Sequence, residues 1–358
     1  MVFKGTRRRS ARDISLVLER LGGSLDAYTS REHTCYQARV LDEHLETALD
    51  VVSDLVVAPV LDVRNLDLER EVVLEEIAMV EDTPDDLVFE LHNEVLWPGH
   101  PYGHSILGTR ESVESLEAVD LRRIHDSAYR RGSLVVAAAG AVDHDRVVEW
   151  VARHFESVGN GGVSSTVATP PPLAPSEHRF ERPGSQAHVV LGTRTVSHAD
   201  PRRYALILLS TAVGGGMSSR LFQRVREELG LAYAVYSFQS FYRTTGAFGV
   251  YVGTRPEWAE RAVQVIRDEL RRVSQEGLLP SELEDAKGQV KGQTVLGLES
   301  VGGRLHRLAM QELHGEPYRT IDELLARIDG ITIDETAVVA AEWLDPERWV
   351  TVRLGPAH

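Results

Sequence analysis

The sequence predicts an α+β protein built as two tandem domains of one fold, each a β-sheet covered by helices. Its 358 residues suit two domains of ordinary size, since one domain commonly holds about 100–200 residues. A segment rich in glycine and proline divides the chain near its middle, and the order of helix and strand patterns before this segment returns after it. Such self-similarity indicates a repeated architecture. A tandem duplication is the simplest interpretation.

The composition is that of a folded globular protein and excludes two classes of partner. Hydrophobic residues make up 42% of the chain and charged residues 26%. No apolar run approaches the about 20 residues of a membrane-spanning helix, so we expect no membrane partner. The net charge of -15 argues against nucleic acid, because phosphate binding needs a dense basic surface. The cluster Arg7, Arg8 and Arg9 is a short exception that we interpret as a solvated terminus.

The dividing segment is interpreted as a surface linker over residues 159–178. It combines several glycines and serines with a run of prolines, and such a mixture continues neither a helix nor a central strand. The predicted boundaries are therefore 1–158 for the amino-terminal domain, 159–178 for the linker and 179–358 for the carboxy-terminal domain.

Each half begins with a helix that stops at glycine and leads into strands. In the first half, the helix Ser10–Leu21 has a capping-box start, ends at Gly22 and precedes the strand pattern Leu25–Leu41. The equivalent segments of the second half are a helix and two strands, Ser218–Leu229, Leu231–Phe241 and Gly246–Gly253.

Both halves then continue with another helix and close with a strand that ends in glycine. These segments are Glu43–Val56 and Leu134–Gly140 in the first half, and Pro256–Val273 and Trp349–Gly355 in the second. The matching glycines at the two ends of the repeat, Gly23 with Gly230 and Gly140 with Gly355, keep nearly the same spacing.

The two halves differ at the front. The second half places a strand pattern, Ala187–Thr193, and a helix pattern, Arg202–Val213, ahead of its first matching helix, whereas the first half has only nine residues ahead of Ser10. A sheet without one of its strands would expose an unpaired edge, which folded proteins avoid. We therefore expect a leading strand and helix upstream of Met1. No targeting signal is visible, and a cytoplasmic location is only the default expectation.

Two glutamates stand out on the predicted helix Leu66–Glu81. With Glu69 at zero and about 100° per residue, Glu76 falls about 20° away, and both lie at the centre of an apolar stripe. Glutamate is rarely buried unless it is paired or binds a metal, because burial of an isolated carboxylate raises its pKa. Salt bridges to arginines of a neighbouring helix and a metal or catalytic role both remain open.

Several runs of residues resemble the insulinase/pitrilysin family of zinc metallopeptidases. They are Phe3–Thr6, Leu21–Thr34 and Glu69–Ile77 in the first half, and Gly215–Phe222 and Arg226–Tyr233 in the second. The resemblance runs essentially end to end. In type it is closest to the bacterial processing-protease branch, which is similar to the mitochondrial processing peptidase. It implies two metallopeptidase-type domains, arranged as a clamshell around a peptide chamber.

The resemblance also implies a zinc site that is incomplete in this chain. The family's inverted motif, His-x-x-Glu-His, holds two histidine ligands and the general base, and it does not occur here. Counting back from Glu76 places its second histidine immediately before Met1. By the same comparison Glu76 is the third zinc ligand and Glu69 an assisting carboxylate. We therefore expect the cofactor Zn²⁺ only in a form extended upstream, because the first domain here lacks its leading strand and zinc-motif helix.

Residues that contact substrate follow from the resemblance as well. Arg226 and Tyr233 match the pair with which the second domain grips the substrate backbone and the developing oxyanion. Asp26, Ala27 and Tyr28 match the edge strand to which an extended peptide adds. Two plainer interpretations stay open, in which Arg226 pairs with a neighbouring acid and Tyr28 is an ordinary buried strand residue.

The function implied is that of a zinc-dependent metalloendopeptidase cleaving peptides or partly unfolded polypeptides. The chain by itself lacks two ligands and the general base, so we expect it to be inactive alone. The alternative is a non-catalytic family member that binds peptides or supports a catalytic partner. The resemblance leaves a dimer open.

Overall fold

The computed structural model describes residues 1–161 and 167–356, apart from the side chain of Leu18. Residues 162–166, within the predicted linker, lie outside the described residues. The α-helices are α1 Ala11–Arg20, α2 Leu45–Val57, α3 Val63–Asp82, α4 Pro84–Leu96, α5 Arg110–Ser115, α6 Ala118–Ala128, α7 His144–His154, α8 Arg203–Gly214, α9 Ala259–Glu276, α10 Pro280–Gly297, α11 Val301–Leu313, α12 Ile321–Asp329 and α13 Ile333–Trp343. The strands are β1 Ser24–Thr29, β2 Thr34–Arg39, β3 Ser176–Glu181, β4 Ala187–Thr195, β5 Ala232–Phe241, β6 Gly246–Thr254 and β7 Val350–Gly355. No helix in these ranges is long and apolar enough to cross a membrane.

The chain folds into two compact units, and each takes segments from both halves of the sequence. The first unit consists of residues 1–79, 106–161 and 300–313, and the second of residues 80–105, 167–299 and 314–356. Helix α4 thus belongs to the second unit although it precedes the predicted linker, and α11 belongs to the first unit although it follows it. These helices are equivalent in the repeat, since their first residues, Pro84 and Val301, keep nearly the spacing of the matching glycines.

The second unit is built on a five-stranded sheet in the order β3-β7-β4-β6-β5. β3 and β7 are parallel, and the other neighbours are antiparallel. Successive residues of β4 point to opposite faces, so Val189 and Leu191 pack with α8 and α9 while Val190 packs with α4. The predicted α+β class is confirmed, and the predicted strand and helix at the front of this half form as β4 and α8.

The first unit contains the antiparallel hairpin β1–β2 and a small core around Ile14, Val51 and Leu55. The predicted strand Leu134–Gly140 is wrong, because this segment forms no ladder with any part of the chain that the structure describes. A strand needs a neighbour for its backbone hydrogen bonds. Its counterpart β7 has two, β3 and β4, and the repeat shows no counterpart of β4 in the first half.

Arg8 and Arg9 bind carboxylates of α2, so the interpretation of the cluster as a solvated terminus is wrong for these two residues, whereas Arg7 is exposed. Nη1 of Arg9 lies 2.7 Å from Oδ2 of Asp54, and Nε of Arg8 lies 3.0 Å from Oδ1 of the same residue. The Thr6 hydroxyl donates to Asp54 at 2.6 Å, and Asp50 accepts hydrogen bonds from both arginines. Asp54 is buried, and a buried carboxylate needs such partners.

Candidate functional site

Helix α3 carries the two glutamates, and only one side of its apolar stripe is buried. With Glu69 at zero, Leu66 and Ile77 lie at about +60° to +80° around the helix axis. Both are buried. Val72 and Met79 fall at about −60° to −80°. Both are exposed, Met79 by 70%. Glu69 therefore lies at the boundary between a packed and an open half of the stripe.

Arg70 joins α3 to the end of α5. Its Nε and Nη2 donate to the carbonyl oxygens of Val113 at 3.2 Å and Leu116 at 2.8 Å, at the end of α5. Carbonyls near the end of a helix have acceptor capacity that the helix itself does not fill. The side of α3 that carries Arg70 therefore faces α5, although the sequence pattern predicts that side to be polar.

Glu69 is held in ion pairs by the first residues of the chain. Nζ of Lys4 lies 2.6 Å from its Oε1, and the amino group of Met1 lies 3.5 Å from its Oε2. Burial would raise the pKa of the Glu69 carboxyl, but the hydrogen bond from Lys4 and the charge of the Met1 ammonium hold that pKa below its ordinary value. The salt-bridge interpretation therefore applies to Glu69 here, with a lysine instead of an arginine.

Glu76 is exposed, although the helical period places it at the centre of the apolar stripe. It shares the open half of the stripe with Val72 and Met79. The helical period correctly groups these residues on one side, but the period does not say which side meets a neighbour.

The described residues do not by themselves fit a zinc ion. No group of three or more His, Cys, Asp or Glu side chains in the described ranges could hold a metal, whereas a catalytic zinc site has about three protein ligands. Glu76 presents an exposed carboxylate that suits one ligand. The Glu69 carboxylate is already engaged by Lys4.

Asp26, Ala27 and Tyr28 lie in β1, which pairs with β2 along one edge. No described residue pairs with its other edge. All three residues are exposed, Tyr28 by 39%. The geometry of an open edge strand is therefore present, and the buried alternative for Tyr28 is excluded. Peptide addition at this edge stays a prediction.

Arg226 stands on a π-helix in the second unit. Residues Phe222–Glu228 take this form, which closes i to i+5 hydrogen bonds, is rare and is frequent at functional sites. Buried Leu221 and Val225 pack this helix on the core. Gly230, at φ 60°, follows it and turns the chain into β5. The sequence predicts a helix here but not its π form.

Tyr233 stands on a β-bulge at the start of β5. Ala232 pairs with Thr254 and Ala234 with Gly253, so Tyr233 is the extra residue between two ladder pairs. A bulge re-aims a side chain and is over-represented beside active sites. Tyr233 is 80% exposed.

These two irregular segments bring Arg226 and Tyr233 together. Cζ of Arg226 lies 4.9 Å from the centroid of the Tyr233 ring and 4.7 Å from that of the Phe222 ring. A guanidinium is attracted to such ring faces and keeps its N–H groups in its own plane. Its ion pair with Glu227 is a long approach of 3.7 Å, so the neighbouring-acid interpretation accounts for little of its placement.

The stack offers hydrogen-bond donors to an incoming oxygen atom. Within the described part of the chain, no residue accepts a hydrogen bond from the Arg226 guanidinium. The phenol of Tyr233 is exposed beside it. Carbonyl and carboxylate oxygens are the acceptors that a planar guanidinium recognises, and donors aimed at a developing oxyanion stabilise a transition state.

Sequence reasoning missed two residues of these sites. Phe222 lies within the predicted motif, and its i,i+4 spacing from Arg226 is a signal that would have found the contact. Lys4 also lies in a predicted motif, but nothing in the local pattern points from Lys4 to Glu69.

Comparison with protein families finds a match in each half. A family model described as Insulinase (Peptidase family M16) matches residues 1–110. A model described as Peptidase M16 inactive domain matches residues 115–290. The first match contains Glu69 and Glu76, and the second contains Arg226 and Tyr233.

Curated relatives and solved structures agree with these matches. An uncharacterized zinc protease of Streptomyces coelicolor is 42% identical over 99% of this chain and 79% of its own length. An uncharacterized zinc protease of Bacillus subtilis is 36% identical over 100% of this chain and 87% of its own. The crystal structure of a peptidase M16 inactive domain from Pseudomonas fluorescens has a TM-score of 0.94 at 22% identity, covering 100% of this chain and 86% of that one. A protease from Helicobacter pylori has a TM-score of 0.92 at 22% identity, covering 99% and 87%. At this identity the two structures show the fold alone.

Proposed function

Because this chain belongs to the insulinase family of peptidases, family M16, we propose that it belongs to a zinc metalloendopeptidase that cleaves peptides or partly unfolded polypeptides. The observation that carries the proposal is the stack of the half-buried Arg226 on the exposed ring of Tyr233. A π-helix and a bulge support this stack, and such irregular segments are found preferentially at functional positions.

The zinc ion would be bound by Glu76 and by two histidines of a His-x-x-Glu-His motif upstream of Met1. The place of Met1 supports this proposal, because its amino group lies 3.5 Å from Oε2 of Glu69, and a residue bonded to it would lie next to that carboxylate. When bound, zinc would lower the pKa of a bound water and polarise the scissile carbonyl. Glu69 would assist as a carboxylate that Lys4 keeps ionised.

Two observations on the first unit support the strand and helix that this proposal needs. Leu134–Gly140 has no strand partner among the described residues, whereas its counterpart β7 is flanked on both sides. Leu313 of α11 is 41% exposed. Its counterpart in α4 is Leu96, which lies on the face that packs against the sheet and is 0% exposed. We infer that a strand and a helix equivalent to β4 and α8 complete this unit, with the histidine motif on that helix.

Substrate would be held mainly through its backbone. Asp26, Ala27 and Tyr28 would take an extended peptide as a further strand beside β1, where main-chain hydrogen bonds supply the affinity. Arg226 and Tyr233 would donate to substrate carbonyl oxygens and to the developing oxyanion. Recognition of this kind requires an extended backbone, which supports peptides and partly unfolded polypeptides as the substrate class.

The upstream reading frame and an upstream-extended protein test the proposal. Zinc content and hydrolysis of a quenched peptide would be measured on residues 1–358 and on the extended form. We expect the shorter chain neither to hold zinc stoichiometrically nor to cleave peptide, and the extended form to do both. In the extended form, Glu76→Gln should abolish zinc binding, while Glu75→Gln, at the adjacent exposed residue, should leave it intact. Zinc-dependent hydrolysis by residues 1–358, or a reading frame without the motif, would refute this arrangement of the site.

A second candidate is a non-catalytic family member that binds peptides or supports a catalytic partner. The description of the family model over residues 115–290 as an inactive domain favours it weakly. An extended form that folds and binds the peptide, but holds no zinc and cleaves nothing, would establish this candidate over the first.

A further inference from the structure

We propose that Phe222 is a positioning residue, whose ring holds the Arg226 guanidinium against Tyr233 so that the guanidinium edge stays turned toward a ligand. The nature of that ligand, a peptide carbonyl group, rests on the proposed function. The positioning itself rests on contacts within the second unit.

The Arg226 guanidinium contacts two aromatic rings, those of Phe222 and Tyr233, and makes few other contacts. Its Cζ is 4.7 Å from the Phe222 centroid and 4.9 Å from the Tyr233 centroid. Tyr233 alone is a poor support, because it is 80% exposed, and the 3.7 Å approach to Glu227 is too long for a hydrogen bond. An arginine on a surface helix otherwise samples many rotamers. Phe222 is therefore the partner that restricts it.

The helix beneath Phe222 is itself fixed. Nε and Nη2 of Arg220 each lie 2.6 Å from a carboxylate oxygen of Glu282, and Nη2 also donates to the Gly277 carbonyl at 3.3 Å. Leu221 and Val225 are fully buried. A ring that starts from such an anchored turn has a defined direction, which a platform for another side chain requires.

Phe222 contributes little to the core that these neighbours form. It is only half-buried, and it is not one of the described residues that make up the apolar core beneath the helix. Its replacement should therefore loosen the stack without unfolding the unit, which separates positioning from a purely structural role.

The first experiment measures the order of the Arg226 side chain in the 358-residue chain, through ¹⁵N relaxation of its Nε–H group. Phe222→Leu keeps the apolar volume but removes the ring face, and Phe222→Tyr keeps the face. Arg224→Ala is the control, because Arg224 lies on the same π-helix and pairs with Glu228. We expect the order parameter to fall below about 0.6, the range of flexible groups, in Phe222→Leu only. Unchanged order in Phe222→Leu, with the fold intact, overturns the proposal.

The second experiment uses the upstream-extended form with zinc bound. We expect kcat/KM for peptide hydrolysis to fall about tenfold in Phe222→Leu, the effect of losing about 1.4 kcal/mol of transition-state stabilisation. Phe222→Tyr should restore it, and Arg224→Ala should leave it unchanged. If the Arg226 side chain loses order in Phe222→Leu while kcat/KM stays unchanged, the part of the proposal that links this order to peptide hydrolysis is overturned. If the extended form cleaves nothing, the proposed function fails, while the relaxation experiment still decides whether Phe222 positions Arg226.

Discussion

Gly192 of β4 lies directly against the imidazole of His92 on α4. A Cβ atom at position 192 would come within 2.6 Å of Cε1 and Nε2 of His92. This close approach lets His92 pack fully buried in the second unit, where Phe238 meets its ring edge to face at 6.4 Å. The contact joins a helix from the first half of the sequence to the sheet of the second unit.

Gly192→Ala should destabilise the second unit by about 1–3 kcal/mol, because the added methyl forces either His92 or the backbone to move. The free energy of unfolding from urea denaturation measures the effect. Gly288→Ala is the matched control, since it lies inside α10 with open space around it and should be neutral or stabilise by up to about 1 kcal/mol. Equal free energies of unfolding in the two variants would contradict a steric overlap between His92 and a Cβ atom at position 192.

Stability should depend on pH through His92. Burial lowers the pKa of its imidazole to about 3, whereas an unfolded chain titrates near about 6.5. The unfolded state therefore binds the proton first, so the stability due to neutral His92 is complete above about pH 6.5 and is lost as the pH falls toward the folded value.

The comparison is between the wild type and His92→Gln, by urea denaturation at several pH values. We expect the wild type to lose up to about 1.4 kcal/mol per pH unit relative to the variant below about pH 6.5. Other groups titrate in both proteins, so the difference isolates His92. Parallel pH profiles would mean that the pKa of His92 is the same in the folded and the unfolded chain.

Asp54→Ala should destabilise the first unit by about 3 kcal/mol, because it leaves Arg9 without its 2.7 Å partner and Thr6 without its acceptor. Thermal unfolding followed by circular dichroism measures it. Glu46→Ala on the same helix removes only an exposed 3.7 Å pair with Arg153 and should cost about 0–1 kcal/mol. Similar losses of stability in both variants would instead favour the interpretation of the arginine cluster as a solvated terminus.

Lys4→Met should raise the pKa of Glu69. Burial already acts in that direction, and the hydrogen bond from Lys4 is the largest of the effects that oppose it. Carboxyl ¹³C chemical shifts measured against pH report the change directly, and the exposed Glu75 serves as the internal reference. A Glu69 titration that does not move would show that Lys4 is not its partner in solution.

Tyr233→Phe in the upstream-extended form should lower kcat by roughly 10- to 1000-fold, because it would remove the proposed oxyanion donor and leave the ring that contacts Arg226 in place. Steady-state peptide hydrolysis separates kcat from KM. A raised KM with unchanged kcat would reassign the phenol to binding of the ground state.

The sequence by itself determined those features of this protein that depend on nearby residues. Helices start at capping residues and stop at glycine, and strands follow the alternation of side chains, so the front of the second half forms as β4 and α8 where the pattern predicts them. The motifs also identify the family, because each of them is a run of neighbouring residues. All of these signals lie within short stretches of chain.

Only the tertiary structure decided which predicted faces are covered and which residues meet across long separations. The period of α3 places Glu69 and Glu76 together, but Glu69 is half-buried beside Lys4 whereas Glu76 is exposed. Leu134–Gly140 has the pattern of a strand and no described partner to pair with. The contact of Arg226 with Tyr233 depends on a π-helix and a bulge. These outcomes depend on neighbours distant in sequence, because burial and backbone pairing are properties of the packed chain and not of its local pattern.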